Sequence, residues 1–223
     1  AAGEHAAHRR LTGDDCEESR LALVGLQRAF HKLSTWRRAK WVGVNLGGWL
    51  LLEYGPSSPL FQTQGAEGNG EWAFAEELRA QGLADEVFRE HRARHVTAEE
   101  LRSIASLGIN AVRVPFGYWV VSGPTCGDPF VGPCLEELDR VVAQASSLGL
   151  EVVLDLHGNP GGETCDKCCG RDHPEWSFGE WRRHEALDVL RAIATRYAHA
   201  AAVTAVQVCN EPSKECPPRA LVE

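Results

Sequence analysis

Residues 134–158 read CLEELDRVVAQASSLGLEVVLDLHG, and this stretch carries the strongest signal for the fold. Its first part spaces apolar residues along one face of an amphipathic helix, and Gly149 is a typical helix stop. Its second part, EVVLDLHG, is an almost continuous apolar run that ends in polar residues. Strands of that kind are covered on both faces. The stretch therefore predicts a helix that leads directly into a buried strand of a parallel sheet.

The same helix–strand unit recurs on both sides of this stretch. Upstream, TAEELRSIASLGIN begins at Thr97 with a glutamate three residues later, which predicts a capping box, and the short β-branched strand AVRVP follows it. Downstream, a helix predicted over residues 181–197 leads into AVTAVQVCNEP, which also reads as a buried strand. From Trp41, the run WVGVNLGGWLLLE is typical of a buried strand entering a tight turn, and residues 71–90 have helical content. Alternating helices and strands predict an α/β fold with a parallel sheet.

Two parallel architectures compete for this pattern. A doubly wound nucleotide-binding sheet has a glycine-rich phosphate loop, and neither G-x-G-x-x-G nor G-x-x-x-x-G-K-[ST] occurs. A (β/α)8 barrel instead carries polar residues at the carboxyl ends of its strands. Four predicted strands do so here, with Glu53, Arg113, His157 and Glu211 at or near these positions. The sequence favours a TIM barrel, of which it contains roughly the first four βα units.

Composition limits the classes of partner. A chain of 223 residues that is 43% apolar can bury a substantial core. Its formal charge of -8 disfavours nucleic acid and anionic membranes as partners, and no apolar run approaches the length of a membrane span. Residues 1–38 are polar, weakly helical over 17–33, and predicted to be a leader or linker helix. Residues 39–223 then form the barrel portion.

Eight cysteines are many for a cytosolic protein, and their even number favours disulfides in an oxidising compartment. Cys126 and Cys134 share one predicted loop and could pair across it, whereas Cys209 is predicted to be a buried free thiol. The segment CDKCC supplies one Cys-x-x-Cys step, but a structural zinc site needs a second pair with similar spacing. We therefore predict no metal and no other cofactor.

Four residues near the strand ends are candidates for chemistry. Glu211, after Asn210 and before a proline, suits a general acid beside an amide that binds substrate, although a loop glutamate that caps the next helix has the same pattern. His157 could orient a carboxylate or contact a hydroxyl, or be a satisfied structural histidine. Arg113 lies inside a strand and must be paired there or point into the barrel mouth. Asp155 lies on the same strand face as His157, which predicts a structural hydrogen bond.

Four ordered motifs together resemble a known family. The segments GVNLGGWLLLE, LGINAVRVPFGYW, LDLHGNPGG and CNEP, in this order, closely resemble the exo-β-1,3-glucanase branch of glycoside hydrolase family 5. The resemblance implies a (β/α)8 barrel and a retaining glycosidase that releases glucose from β-1,3-glucan outside the cell or at the cell wall.

The resemblance also implies roles for individual residues. Glu211 matches the acid/base, and Asn210 matches the contact to the substrate 2-hydroxyl. Arg113 and His157 match active-site positions of the family. Glu53 matches the carboxylate that binds the sugar at the non-reducing end.

The sequence departs from the family pattern in two places. After LDLHG, relatives carry a loop with an aromatic that clamps sugar, whereas here the loop reads GGETCDKCCGRDHPEW, with no aromatic before Trp176. An endo-β-1,4-glucanase, another β-glucosidase of the family, or a non-catalytic carbohydrate-binding remnant therefore stay as alternatives. Retaining chemistry also needs a nucleophilic carboxylate, which the family places near its seventh strand. Because the chain ends after the fourth predicted strand and has no methionine, we expect it to be a fragment, inactive on its own and prone to aggregate.

Overall fold

A four-stranded parallel sheet forms the centre of the fold. The structure is a computed structural model, and it describes residues 40–65, 70–125 and 127–217. The strands are β1 (Gly43–Asn45), β2 (Ala111–Gly117), β3 (Glu151–Gly158) and β4 (Val203–Gln207), hydrogen-bonded in the order β1-β2-β3-β4. All three strand pairs are parallel. The predicted α/β fold of (β/α)8-barrel type, with four βα units, is confirmed, and all four strands end at one edge of the sheet.

Seven α-helices connect or flank these strands in the part of the chain that the structure describes. They are α1 (Tyr54–Gln64), α2 (Glu71–Gln81), α3 (Ala84–Arg94), α4 (Ala98–Ser106), α5 (Trp119–Ser122), α6 (Leu135–Leu148) and α7 (Arg183–Arg196). Two short 3₁₀ helices, Lys167–Cys169 and Phe178–Glu180, lie in the connection between β3 and α7.

Helix boundaries follow the predicted capping signals. Thr97 and Glu100 form the predicted capping box at the start of α4, and Gly149 ends α6 in the left-handed conformation. The helical content predicted over residues 71–90 is divided into α2 and α3, because Gly82 adopts φ of +72° between them. The leader or linker helix predicted for residues 1–38 lies outside the described residues.

The main core fills the space between the sheet and its helices. β2 and β3 are buried along almost their whole length, as their apolar runs predicted. The core cluster includes side chains from these strands and from α6 and α7: Val112, Val114, Val152, Leu154, Leu156, Leu138, Val141, Val189 and Ile193. Each fully buried aliphatic side chain of this size stabilises the fold by about 1.5–3 kcal/mol.

The two outer strands differ from their predictions. The run WVGVNLGGWLLLE forms only the three-residue strand β1, because the chain turns at Gly48, where φ is +69° and a Cβ would lie 2.9 Å from Ser57 Oγ. The prediction that β4 is buried on both faces is wrong: Val206 is 36% and Val208 is 50% exposed. Among the described residues β4 pairs only with β3, so its outer side is not covered.

The described cysteines are all free thiols. They are Cys134, Cys165, Cys168, Cys169, Cys209 and Cys216. The suggested partner of Cys134, Cys126, lies outside the described residues, and Cys134 itself is buried and free. Cys209 is a free thiol as predicted, although it is only half-buried.

Candidate active site

Polar side chains from all four strands converge on one face of the sheet. The strand register sets Asn45 beside Arg113 and sets Asp155 beside Gln207. Register partners in a parallel sheet point to the same face, and so do residues two apart along a strand. His157, two residues after Asp155, therefore extends the same row toward the carboxyl ends of the strands.

Arg113 is the centre of this group. Its guanidinium donates to Asn45 Oδ1 at 3.0 Å, to Gln207 Oε1 at 3.0 Å and to Asn210 Oδ1 at 2.9 Å. It also forms an ion pair with Asp155, with Nη2 2.7 Å from Oδ2. One side chain thus connects β1, β3, β4 and the segment after β4. Of the two alternatives for Arg113, pairing within the sheet or a position pointing into the barrel mouth, the structure shows the pairing, and the carboxylate beside it is the buried Asp155.

His157 connects the buried aspartate to the segment that bears Asn210. Its Nδ1 lies 2.6 Å from Asp155 Oδ2, and its Nε2 lies 3.2 Å from Asn210 Nδ2. Glu53 Oε1 is 4.0 Å from the same Nε2. Asp155, His157 and Asn210 are all buried, whereas the Glu53 side chain is 28% exposed. The structure therefore brings four of the five predicted site residues together.

Glu211, the fifth, is placed differently. It follows Asn210 directly but is exposed, and among the described residues its carboxylate makes no hydrogen bond or ion pair. Its φ is +39°, in the left-handed region that non-glycine residues rarely adopt. Backbone strain of this kind is concentrated at functional sites. The strained turn directs Asn210 into the polar group and leaves Glu211 open to solvent.

The connection between β3 and α7 forms a wall beside this group. Ser213 donates its backbone N–H to Glu163 O at 2.9 Å, and Trp72 donates to Gly170 O at 2.8 Å. The wall therefore contacts both the segment after Asn210 and the start of α2. Cys168 lies in this wall, where burial, together with the charges of Glu163, Glu211 and Glu53, raises the pKa of its thiol to about 12.

Glu163 is the least expected residue of the wall. It is fully buried, its Oε2 accepts the Asn159 N–H at 2.9 Å, and its Oε1 has no hydrogen-bond partner. Burial raises the pKa of this carboxyl group to about 8, and the charge of Asp155 adds to the shift. This shift favours the neutral acid at pH 7.

The two tryptophans of the wall face inward. Trp176 is 5% exposed and donates its indole N–H to Gly162 O at 3.1 Å, and Trp181 is 7% exposed. Neither can offer its ring to a sugar in this arrangement.

Several site residues were not predicted. Gln207 and Glu163 lie outside the quoted motifs, and Asn45 lies inside GVNLGGWLLLE but was given no role. Only the alternation along β1 and β4 could have indicated that Asn45 and Gln207 share a face with Arg113. Glu163 carried no signal, because a glutamate in a glycine-rich loop normally faces solvent.

Within the described parts of the chain, no three His, Cys, Asp or Glu side chains are grouped so that they could hold a metal ion. Over the same residues, no helix has the length and apolarity needed to cross a bilayer.

Comparisons with known proteins agree with the predicted family. The family profile Cellulase (glycosyl hydrolase family 5) matches residues 76–220. A probable glucan 1,3-beta-glucosidase A of Aspergillus clavatus is 38% identical over 173 residues, covering 77% of this chain and 41% of the relative. A glucan 1,3-beta-glucosidase of Blumeria graminis is 37% identical over 179 residues, covering 77% of this chain and 40% of the relative. The chain thus spans about two fifths of the length of these curated relatives.

A solved structure agrees with the fold. The crystal structure of rutinosidase from Aspergillus niger superposes with a TM-score of 0.69 over 80% of this chain and 51% of that one, at 22% sequence identity. The likeness at this identity concerns the fold alone. Since the family profile covers well over half of the residues, the chain belongs to glycosyl hydrolase family 5.

Proposed function

We propose that the protein containing this chain is a retaining glycoside hydrolase that cleaves β-glucosidic bonds, and that it acts as an exo-β-1,3-glucanase releasing glucose from β-1,3-glucan. The observation that carries the proposal is the position of Asn210, whose amide is held by Arg113 and His157 directly before Glu211. The names of the curated relatives support the choice of β-1,3-glucan. We infer from this substrate that the protein acts outside the cell or at the cell wall.

In this proposal the site residues have separate tasks. Glu211 is the acid/base, and its exposure beside the polar group allows it to reach the oxygen of a leaving sugar. Asn210 donates to the 2-hydroxyl of the sugar, where hydrogen bonds strengthen in the transition state. Glu53, 4.0 Å from the imidazole of His157, binds the sugar at the non-reducing end.

The second carboxylate belongs to the same mechanism. In a retaining enzyme, the nucleophile lies about 5–5.5 Å from the acid. We propose that it is supplied from outside residues 1–223. On this proposal, residues 39–223 are the N-terminal half of the catalytic barrel, and the chain binds sugar without turning it over.

A second candidate has one observation in its favour. Trp176 and Trp181 in the wall are buried, so the wall offers no aromatic platform there. A changed wall favours a different substrate, as in an endo-β-1,4-glucanase or another β-glucosidase of the family. Hydrolysis of laminari-oligosaccharides and cello-oligosaccharides side by side distinguishes the two candidates.

The decisive experiment compares two carboxylates in the same segment of the protein containing this chain. Glu211→Gln is expected to lower kcat on laminari-oligosaccharides by about 10²–10⁴-fold. Glu215→Gln, an exposed glutamate four residues later, is the matched control and should leave kcat unchanged. Equal rates for Glu211→Gln and wild type would rule out the assigned acid/base. Calorimetric binding with no hydrolysis by the wild type would instead support a non-catalytic carbohydrate-binding role.

A further inference from the structure

Asp155 lies beneath the proposed active site and does not face the substrate side. It is fully buried in β3, and a single oxygen, Oδ2, makes both of its close contacts. One contact is to Arg113 Nη2 at 2.7 Å and the other is to His157 Nδ1 at 2.6 Å. An ionised carboxylate can only accept hydrogen bonds, and an arginine can only donate them. His157 must therefore carry a proton on Nδ1.

The other nitrogen of His157 faces an amide whose orientation is already determined. Arg113 Nη2 also lies 2.9 Å from Asn210, and since the guanidinium only donates, this contact must be to the amide oxygen. Asn210 then turns its Nδ2 toward His157 Nε2, at 3.2 Å. A protonated Nε2 would oppose this N–H with another donor. Arg113 Nη2 also lies 3.5 Å from Nδ1, and Glu53 Oε1, at 4.0 Å, is beyond hydrogen-bond distance of Nε2. The short contacts are therefore satisfied by His157 with a hydrogen on Nδ1 and none on Nε2.

We propose that Asp155 is a positioning residue, which holds the proton of His157 on Nδ1 and so locks the amide of Asn210 with one Nδ2 hydrogen on the imidazole and the other free for a substrate hydroxyl. Asp155 acts through His157 and Asn210 and does not contact the sugar. The part that concerns substrate rests on the proposed function, whereas the position of the proton does not.

Replacing Asp155 with leucine removes the acceptor and keeps a similar side-chain volume. Arg113 Nη2 and His157 Nδ1–H are both donors, and both contact the same oxygen, Oδ2. Without that oxygen, the acceptor that holds the histidine proton on Nδ1 is lost, and Asp155→Leu should release the Asn210 amide. Asp155→Asn is the conservative variant, because an amide oxygen in the place of Oδ2 can still accept from both donors.

The test measures the tautomer directly. Two-bond ¹H–¹⁵N correlation spectra of the ¹⁵N-labelled protein that contains this chain report which imidazole nitrogen is protonated, and His157→Gln assigns the His157 signal. In the wild type we expect a pyrrole-type shift for Nδ1 and a pyridine-type shift for Nε2. In Asp155→Leu the two shifts should average, whereas Asp155→Asn should keep the wild-type pattern. Asp188→Asn, at an exposed aspartate paired with Arg191, is the control and should leave the His157 signals unchanged.

A third variant separates Asp155 from Asn210 as the cause. In Asn210→Ala the proton should stay on Nδ1, because Asp155 is still present. The inference is overturned if wild-type His157 is protonated on Nε2 or on both nitrogens, or if Asn210→Ala moves the proton and Asp155→Leu does not. The wild-type, Asn210→Ala and Asp155→Asn spectra decide the question even if Asp155→Leu does not fold.

The functional consequence has its own readout. In the glucan-hydrolysing protein, Asp155→Leu should lower kcat/KM by about 10- to 100-fold, the range found when the outer hydrogen-bond partner of a metal-ligating histidine is removed. An unchanged kcat/KM together with an averaged tautomer would overturn the link to Asn210. If the wild type hydrolyses no glucan, the proposed function fails, while the spectra still decide the role of Asp155 in proton placement.

Discussion

The buried carboxyl group of Glu163 makes the stability of this protein depend on pH in an unusual direction. Burial raises the pKa of Glu163 from 4.5 to about 8. Between these pH values, the native state holds a proton that the unfolded chain has released. Stability therefore falls as pH rises through this window, by about 1.4 kcal/mol for each pH unit. The difference between 4.5 and about 8 corresponds to about 5 kcal/mol once pH exceeds 8.

Glu163→Gln removes the ionisation and keeps the shape. The amide oxygen can still accept the Asn159 N–H, which now lies 2.9 Å from Glu163 Oε2. The variant should match the wild type at about pH 4.5, where both side chains are neutral, and should be more stable by up to about 5 kcal/mol above pH 8.

The assay is urea unfolding followed by tryptophan fluorescence, with free energies extrapolated at a series of pH values between about 5 and 9. The informative quantity is the stability difference between variant and wild type, which should grow steadily with pH. Glu76→Gln, at an exposed glutamate on α2, is the matched control. A difference for Glu163→Gln that stays constant with pH would show that Glu163 is ionised in the native state and would refute the reasoning.

Two further predictions concern the first half of the fold. Burial lowers the pKa of His91 from 6.5 to about 4, so between these pH values the unfolded chain binds a proton that the native state does not. Stability is therefore lost as pH falls from 6.5 to about 4, by about 2–3 kcal/mol after allowance for partial exposure. His91→Gln keeps a donor for Gly48 O and should flatten the acid limb of a stability–pH curve, whereas an unchanged limb would contradict the prediction. Thr97→Ala removes the side-chain cap of α4 and should cost about 1 kcal/mol in urea unfolding. Thr97→Ser, which keeps the hydroxyl, should lose less than half of that, and equal losses would exclude capping as the cause.

The elements predicted best were those with local signals that agree with their final environment. α4 has its capping box, α6 ends at Gly149, and β3 is buried as its apolar run indicated. The prediction for β4 was wrong because an apolar sequence shows only that a strand can be buried. Whether it is buried depends on the elements that lie beside it. The length of β1 also depends on tertiary contacts. The chain turns at Gly48, where a Cβ would lie 2.9 Å from Ser57 Oγ of α1.

The candidate site also combines residues that local motifs predicted with contacts that only the folded chain creates. Arg113, His157 and Asn210 could be selected from motifs at strand ends, and the structure brings their side chains into one hydrogen-bonded group. The common acceptor in that group, Asp155, was expected only to make a structural hydrogen bond. Its link to Arg113 depends on the register between β2 and β3.

Sequence patterns alone were sufficient for the α/β class, the barrel type and the family, because helix caps, apolar runs and strand-end motifs act over a few residues. The tertiary structure determined which nitrogen of His157 carries the proton, how the amide of Asn210 is oriented, and why the pKa of Glu163 is raised toward the neutral form. Each of these depends on atoms far apart in the chain: Arg113 and Asn210 are 97 residues apart and meet at 2.9 Å. Hydrogen-bond donors and desolvation act through space, and only the folded chain specifies which groups become neighbours.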